Sequence, residues 1–267
     1  MPDTETVLDN DANKLAQNAY SDEALKELVD AGVFCGRRKS KTHPRMKQFI
    51  FGNRSGIEII DLQKTLAQLQ RATEFLKERV AAGATVLFVG TQPAAEDGVK
   101  EAAEKLNFPW VVNRWLGGTL TNFKIIQKRI EYFKKLKADR ESGALLKYTK
   151  KERVGIEGEL KRLQELWGGL EGLNGRPDVL VVVDANLHHI AIHEARMLGI
   201  PVVALINTDS DPESVEYPVV GNNKSRKSTE WFLGALTVVM LEGKASAKSV
   251  LETAAATETK EAGANLK

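Results

Sequence analysis

One cysteine, Cys35, stands among 267 residues, so the chain can form no internal disulfide and no multi-cysteine zinc cluster of its own. That fits a reducing compartment, and the expected location is cytoplasmic. Long apolar runs are also missing. No stretch is long enough to cross a bilayer, and residues 1–20 are acidic and polar rather than a basic start followed by an apolar core, so neither a membrane anchor nor a secretory leader is expected. There is little net charge: 38 Lys and Arg against 36 Asp and Glu leave +2, so a nucleic-acid partner would have to be recognised by local clusters.

Catalytic signatures are equally scarce. The first clear strand-to-helix turn, Gly90-Thr91-Gln92-Pro93-Ala94-Ala95, has neither G-x-G-x-x-G nor the Gly-Lys-Ser/Thr of a P-loop, and so lacks the close approach that a pyrophosphate needs. Asp184, Asn207, Asp209 and Asp211 fall at strand ends, where they could hold a metal or a sugar hydroxyl; capping and turn formation explain them at least as well. His189 and His193 have the i, i+4 spacing of two zinc ligands. The residues between them are Ile190-Ala191-Ile192, without the Glu of H-E-x-x-H or an obvious third ligand, so surface or capping histidines are the better reading. Cys35 with His43 makes only two ligands in a basic loop. No nucleophile comes with a recognisable base. No catalytic residue, metal or cofactor is expected.

What is present is an alternation of strand and helix. Ile57–Ile60, Val86–Val89, Trp110–Val112, Asp178–Asp184 and Pro201–Ile206 read as strands, the later ones apolar enough to be covered on both faces. Between them lie helices, one capped by Asp61 and marked by Leu62, Leu66, Leu69, Leu76 and Val80. The pattern predicts an α/β fold with a three-layer parallel sheet. From Phe123 to Trp167 two amphipathic stretches, lined by Ile126, Ile130, Phe133 and Leu136 and by Ile156, Leu160, Leu163 and Trp167, predict an inserted antiparallel α-helical hairpin. The expected organisation is a flexible extension over 1–20, an α/β domain over 21–122 and 168–244, the hairpin over 123–167 and a flexible or fraying tail over 245–267.

Charge clusters mark three segments. Arg37, Arg38, Lys39, Lys41, Arg45, Lys47 and Arg54 form a loop-rich basic stretch with no Asp or Glu between Val33 and Ile57. Such a run repels itself unless something anionic is near. Asn113, Arg114, Thr119, Thr121, Asn122 and Lys124 surround Trp115, Phe123 and the Gly117-Gly118 pair; cations would neutralise phosphates, and amides and hydroxyls would bond phosphate and ribose oxygens. Trp115 and Phe123 are expected in the core at the hairpin root rather than against bases. The third segment, Gly221 to Ser228, carries Asn222, Lys224, Arg226 and Lys227. The hairpin is basic on balance, with 13 Lys or Arg against 7 Asp or Glu between Lys124 and Leu166; a solvated face is the plainer reading, a surface for RNA or a neighbouring protein the functional one.

Several stretches carry a resemblance over about Ala31 to Lys244: Ala31-Gly32-Val33, His43 to Lys47 (HPRMK), Ile59 to Thr65 (IIDLQKT), Val86 to Thr91 (VLFVGT), Arg114 to Gly118 with Leu120 to Phe123, Pro177-Asp178, His189 to Ala191 with Glu194 to Arg196, and Leu198 to Ala204 (LGIPVVA). In this order and spacing the chain resembles the bacterial small ribosomal subunit protein two family. The resemblance implies a flavodoxin-like sheet with a protruding hairpin, no cofactor and no catalysis. It also implies a place on 16S ribosomal RNA near the junction of head and body, neighbouring small-subunit proteins as partners, no membrane and no homo-oligomer. The family's RNA-contacting regions map onto Arg37 to Lys47, Arg114 to Asn122 and the stretch after Gly221. The chain departs from the family pattern in places. His-Phe-Gly-His becomes Phe34-Cys35-Gly36-Arg37, the usual Asp and Asn near the last strand become Asn207 and Asp209, and Gly-Asn-Asp-Asp becomes Gly221-Asn222-Asn223-Lys224, which makes Lys224 a candidate phosphate contact. Two other classes stay open. An enzyme of sugar phosphates or nucleotides would need a defined pocket, and a protein-interaction module built on the hairpin would bind without RNA.

Overall fold

The computed structural model describes residues 22–264; the expectation for 1–20 lies outside them. Its centre is a five-stranded parallel sheet of β4 (Val86–Val89), β5 (Trp110–Val111), β6 (Val179–Val183), β7 (Val202–Ile206) and β8 (Tyr217–Val220), in the spatial order β5-β4-β6-β7-β8. Renumbered within the sheet this is 2-1-3-4-5, the order of flavodoxin-like doubly wound sheets, whose direction reverses between β4 and β6.

Every residue of β4, β6 and β7 is buried, which is why these strands read as unbroken apolar runs. Alternate side chains feed two cores. Val86, Phe88, Val181, Val203 and Val219 meet α2 (Leu62–Ala81), α3 (Pro93–Lys105) and α7 (Arg226–Ala264) through residues such as Leu76, Val99 and Phe232. Leu87, Val89, Val182, Ala204 and Val220 meet α4 (Phe123–Glu141), α5 (Lys150–Trp167) and α6 (His189–Met197). A short α1 (Asp22–Asp30) rests Leu28 against Leu66 of α2.

Three strands escape the sequence pattern. The basic stretch is not only loop: β1 (Cys35–Arg38) and β2 (Ile50–Arg54) flank β3 (Ile57–Ile60) in an antiparallel sheet, with two 3₁₀ turns between β1 and β2. Its exposed faces carry charge, so no apolar alternation announces it. Strand β8 holds Pro218, which cannot donate to a ladder and is tolerated because β8 is the sheet edge.

Caps set the helix starts. Asp61 accepts from Gln63 N–H at 3.1 Å and Lys64 N–H at 3.5 Å to open α2. Thr149 and Glu152 form a reciprocal capping box at α5. Helix α4 stops at Ser142, followed by Gly143 at φ 76°, the left-handed conformation that a glycine supplies without Cβ strain. Ile126, Ile130, Phe133 and Leu136 of α4 share a core with Leu160 and Trp167 of α5, and Tyr132 Oη donates to Glu159 across the pair at 3.3 Å. Helix α7 continues without a break from its docked part through the segment expected to fray, as far as Ala264.

Candidate RNA-binding surface

The three basic segments hang on the carboxyl ends of the parallel strands. Residues 112–122 follow β5 and residues 221–225 follow β8, while β1 and the turn after it are tied to the second residue past β7: Arg37 N–H donates to Thr208 Oγ1 at 2.8 Å and His43 N–H to the Thr208 carbonyl at 2.8 Å. The sheet thus spreads these segments over four strand spacings, about 19 Å. Gly36 permits the approach of β1. A Cβ there would sit 2.7 Å from the Glu58 carbonyl oxygen and 2.9 Å from the Thr208 methyl.

The seven cations of the first segment divide. Arg37 turns inward, with Nε 3.3 Å from Asp209 and NH2 donating to Asn223 Oδ1 at 3.0 Å. Arg45 lies 2.9 Å from both Asp211 and Glu213. The local sequence offers no counter-charge, and the fold brings three acids from the segment after β7. Arg38, Lys39, Lys41, Lys47 and Arg54 are exposed and have no acid partner among the described residues.

The second segment is organised by a residue that charge and composition did not single out. Glu194 on α6 is buried, yet its carboxylate collects five donors: Trp115 Nε1 at 3.2 Å and Gly118 N–H at 2.9 Å on Oε1, then Leu120 N–H at 3.0 Å, Thr121 N–H at 3.1 Å and Thr121 Oγ1 at 3.0 Å on Oε2. Burial pushes its pKa up, but the donors outweigh that and leave it below the usual carboxylate value. Around this anchor Arg114, Asn122 and Lys124 stay exposed. Asn113 is exposed too, with Nδ2 donating to the Glu165 carbonyl at 2.6 Å. Thr119 does not face outward as expected: it is buried, and its hydroxyl donates to the Leu116 carbonyl at 2.6 Å because the turn closes over it. Trp115 packs on the core and Phe123 is buried, as the hairpin-root reading anticipates.

In the third segment, Asn222 is occupied within the protein, donating to the Gly32 carbonyl at 3.1 Å and accepting from Lys224 N–H at 3.1 Å. Lys224 Nζ lies 3.1 Å from Asp184, whose side chain is 5% exposed. Arg226 pairs with Asp97 at 3.2 Å and Glu230 at 2.7 Å. Lys227 is exposed. His189 and His193 line a shallow hollow with Arg196, Asp211 and Ser214, and no group of three or more metal-binding side chains exists among the described residues.

Comparison with known proteins decides the family. The model of the family described as Ribosomal protein S2 matches residues 28–243. The chain belongs to the ribosomal protein S2 family. It is 42% identical over 219 residues to the Small ribosomal subunit protein uS2 of Mycolicibacterium paratuberculosis, covering 82% of this chain and 79% of the relative, and has the same identity and coverage against that of Mycobacterium leprae. Against the Small ribosomal subunit protein uS2 of Dictyoglomus thermophilum it is 42% identical over 220 residues, 82% of this chain and 89% of the relative. All three basic segments lie within the matched span, so the surface belongs to the part of the chain that this S2 family member shares with its relatives. No helix among the described residues is long and apolar enough to cross a membrane.

Proposed function

We propose that this chain is a structural, non-catalytic constituent of the bacterial small ribosomal subunit, binding 16S rRNA and neighbouring ribosomal proteins and so supporting assembly and translation in the cytoplasm. One observation carries the rRNA reading: five exposed cations without acid partners among the described residues, Arg38, Lys39, Lys41, Lys47 and Arg54, concentrate on a small sheet and its 3₁₀ turns, which dock at the carboxyl ends of the parallel strands. Arg114, Asn122 and Lys124 extend that surface beyond β5, and Lys227 beyond β8. Phosphates supply the counter-charge that the protein withholds.

Arg37, Arg45, Lys224 and Arg226 shape the surface through internal pairs, and Thr119 and Asn222 shape its turns, rather than leading the contact. Helices α4 and α5 act as an inserted antiparallel hairpin over 123–167, an arm for a neighbouring protein or RNA, between the two parts (21–122 and 168–244) of an rRNA-binding domain. The crevice where a doubly wound sheet would hold a nucleotide is occupied by Gln92, Asp184 and Lys224, which favours this reading over an enzyme. The chain works as a single copy.

The test is binding to 16S rRNA over a salt series. Reversing Lys39, Lys41 and Lys47 to Glu lowers the slope of log affinity against log salt by roughly one for each phosphate no longer neutralised, and depletes the protein from small-subunit fractions on a sucrose gradient. An unchanged slope with full occupancy after a high-salt wash refutes the surface.

A further inference from the structure

Phe51 on β2 is 80% exposed, more open than any other large apolar side chain among the described residues. The backbone is built to put it there. Ile50 pairs with Ile60 and Gly52 with Ile59, so two steps along β2 match one step along β3, and Phe51 is the extra residue of a β-bulge, the irregularity that redirects a side chain out of a ladder. Neither the bulge nor the bare ring helps the fold: the first interrupts the ladder and the second leaves apolar area in water.

The ring does not stand alone. With Val29, Phe34, Ile59 and Leu62 it lines an open hollow of about 450 Å³, and Gln63 brings an exposed side-chain amide to the same hollow. Ile57, two residues from Ile59 and on the same face of β3, is paired with Arg54 on one side and Arg38 on the other. Lys47 lies in the turn that leads into β2. Arg38, Lys47 and Arg54 are exposed and have no acid partner among the described residues.

An open aromatic ring flanked by cations on the outer face of a sheet suits an unpaired nucleotide: the base stacks on the ring, the cations meet the flanking phosphates, and an amide bonds the base edge. A protein segment could cover the ring, but it would have to supply an acid for each cation, whereas a nucleotide carries its flat ring and its negative charge together. We propose that Phe51 receives an unpaired RNA base, stacked on its ring at the hollow, with Arg38, Lys47 and Arg54 serving the phosphates beside it and the Gln63 amide serving the base edge. The inference rests on the rRNA reading and adds that this surface meets a looped or bulged nucleotide, not duplex backbone alone.

The experiment measures binding of the full chain to 16S rRNA over a salt series for Phe51→Ala, Phe51→Leu and Phe51→Tyr, with small-subunit occupancy on a sucrose gradient. Because the ring is so open, all three should melt within about 2 °C of the native chain. Phe51→Ala and Phe51→Leu should each lower affinity on the order of tenfold at every salt concentration, with the slope against log salt unchanged, since no phosphate contact is lost. Phe51→Tyr keeps the stacking plane and should stay within about threefold of native. Phe51→Leu binding as tightly as native would make the contact merely apolar and overturn the stacking, as would a Phe51→Ala variant whose slope falls. Native affinity for rRNA together with loss from small-subunit fractions would assign the ring to a neighbouring protein and overturn the proposal too. A native chain without salt-dependent binding ends the rRNA reading and this inference together; a native slope with Phe51→Ala at native affinity ends this inference alone.

Discussion

Replacing Glu194 by Gln removes one charge and almost no volume, which makes it the sharpest probe of how the Arg114 to Asn122 segment is held. The carboxylate divides five donors between its oxygens, two on Oε1 and three on Oε2. A glutamine amide presents one oxygen and one NH2. Whichever way it is placed, the NH2 confronts at least two N–H or O–H donors in buried or part-buried positions. Losing charge-assisted bonds and leaving donors unsatisfied costs about 2–4 kcal/mol, or roughly 5–15 °C in Tm for a chain of this size. The pH dependence has a definite sign. Because the folded carboxyl has its pKa below the usual 4.5, its contribution is fully present above that value and fades as pH falls through the folded pKa. The gap between wild type and Glu194→Gln is therefore widest at pH 6–7 and narrows below about pH 4. Melting followed by circular dichroism over that range, with amide exchange at Gly118, Leu120 and Thr121, tests both halves. A Tm within about 2 °C of wild type at pH 7 and unchanged protection of those amides would refute the anchor.

Other outcomes follow from single contacts. Gly36→Ala should cost about 2 kcal/mol, because the 2.7 Å approach to the Glu58 carbonyl involves backbone that cannot move aside; a chemical melt measures it, and no loss would mean that β1 docks elsewhere. Thr119→Val should lower stability by about 1 kcal/mol through the missing bond to Leu116, while the salt slope of rRNA binding stays unchanged; a reduced slope would return Thr119 to the contact surface. His188 accepts from Thr91 N–H on Nε2 at 3.2 Å and its Nδ1 meets the Asp184 carbonyl at 2.9 Å, so it folds as the neutral imidazole with a lowered pKa. Stability tied to it is present above the unfolded value near 6.5 and is lost as pH falls through the folded pKa; His188→Gln should flatten the Tm against pH between about 6.5 and 5, and an unaltered slope counts against it.

What was legible in the sequence follows burial. Strands β4, β6 and β7 have side chains covered on both faces, so hydrophobicity alone revealed them. Strands β1 and β2 could not be read that way, since both pair with β3, β2 through the chain reversal at Ser55-Gly56 and β1 from about twenty residues away, and their outer faces carry Arg38, Arg54 and Phe51. The candidate surface was half legible for a related reason. Positive charge is visible residue by residue, but whether a cation is free depends on acids far along the chain. Arg37 finds Asp209, Arg45 finds Asp211 and Glu213, and Lys224 finds Asp184. None of those pairings leaves a mark at the position of the base.

The same separation explains why the sequence around Glu194 does not reveal its anchoring role. A carboxylate in the stretch His193-Glu194-Ala195-Arg196 reads as one more charge on a solvated helix face, whereas the fold turns it toward a loop more than seventy residues earlier. Its five bonds convert Gly118, Leu120 and Thr121 from a flexible glycine-containing segment into a fixed turn, and that turn fixes where Arg114 and Asn122 stand. A surface that meets a rigid RNA gains from such fixing, because side chains and loops already ordered before contact lose less entropy on binding. Two buried acids, Glu194 beneath one basic segment and Asp184 beneath another, thus have a shared role: each removes its own charge from the surface by internal pairing and leaves the unpaired cations around it held in position.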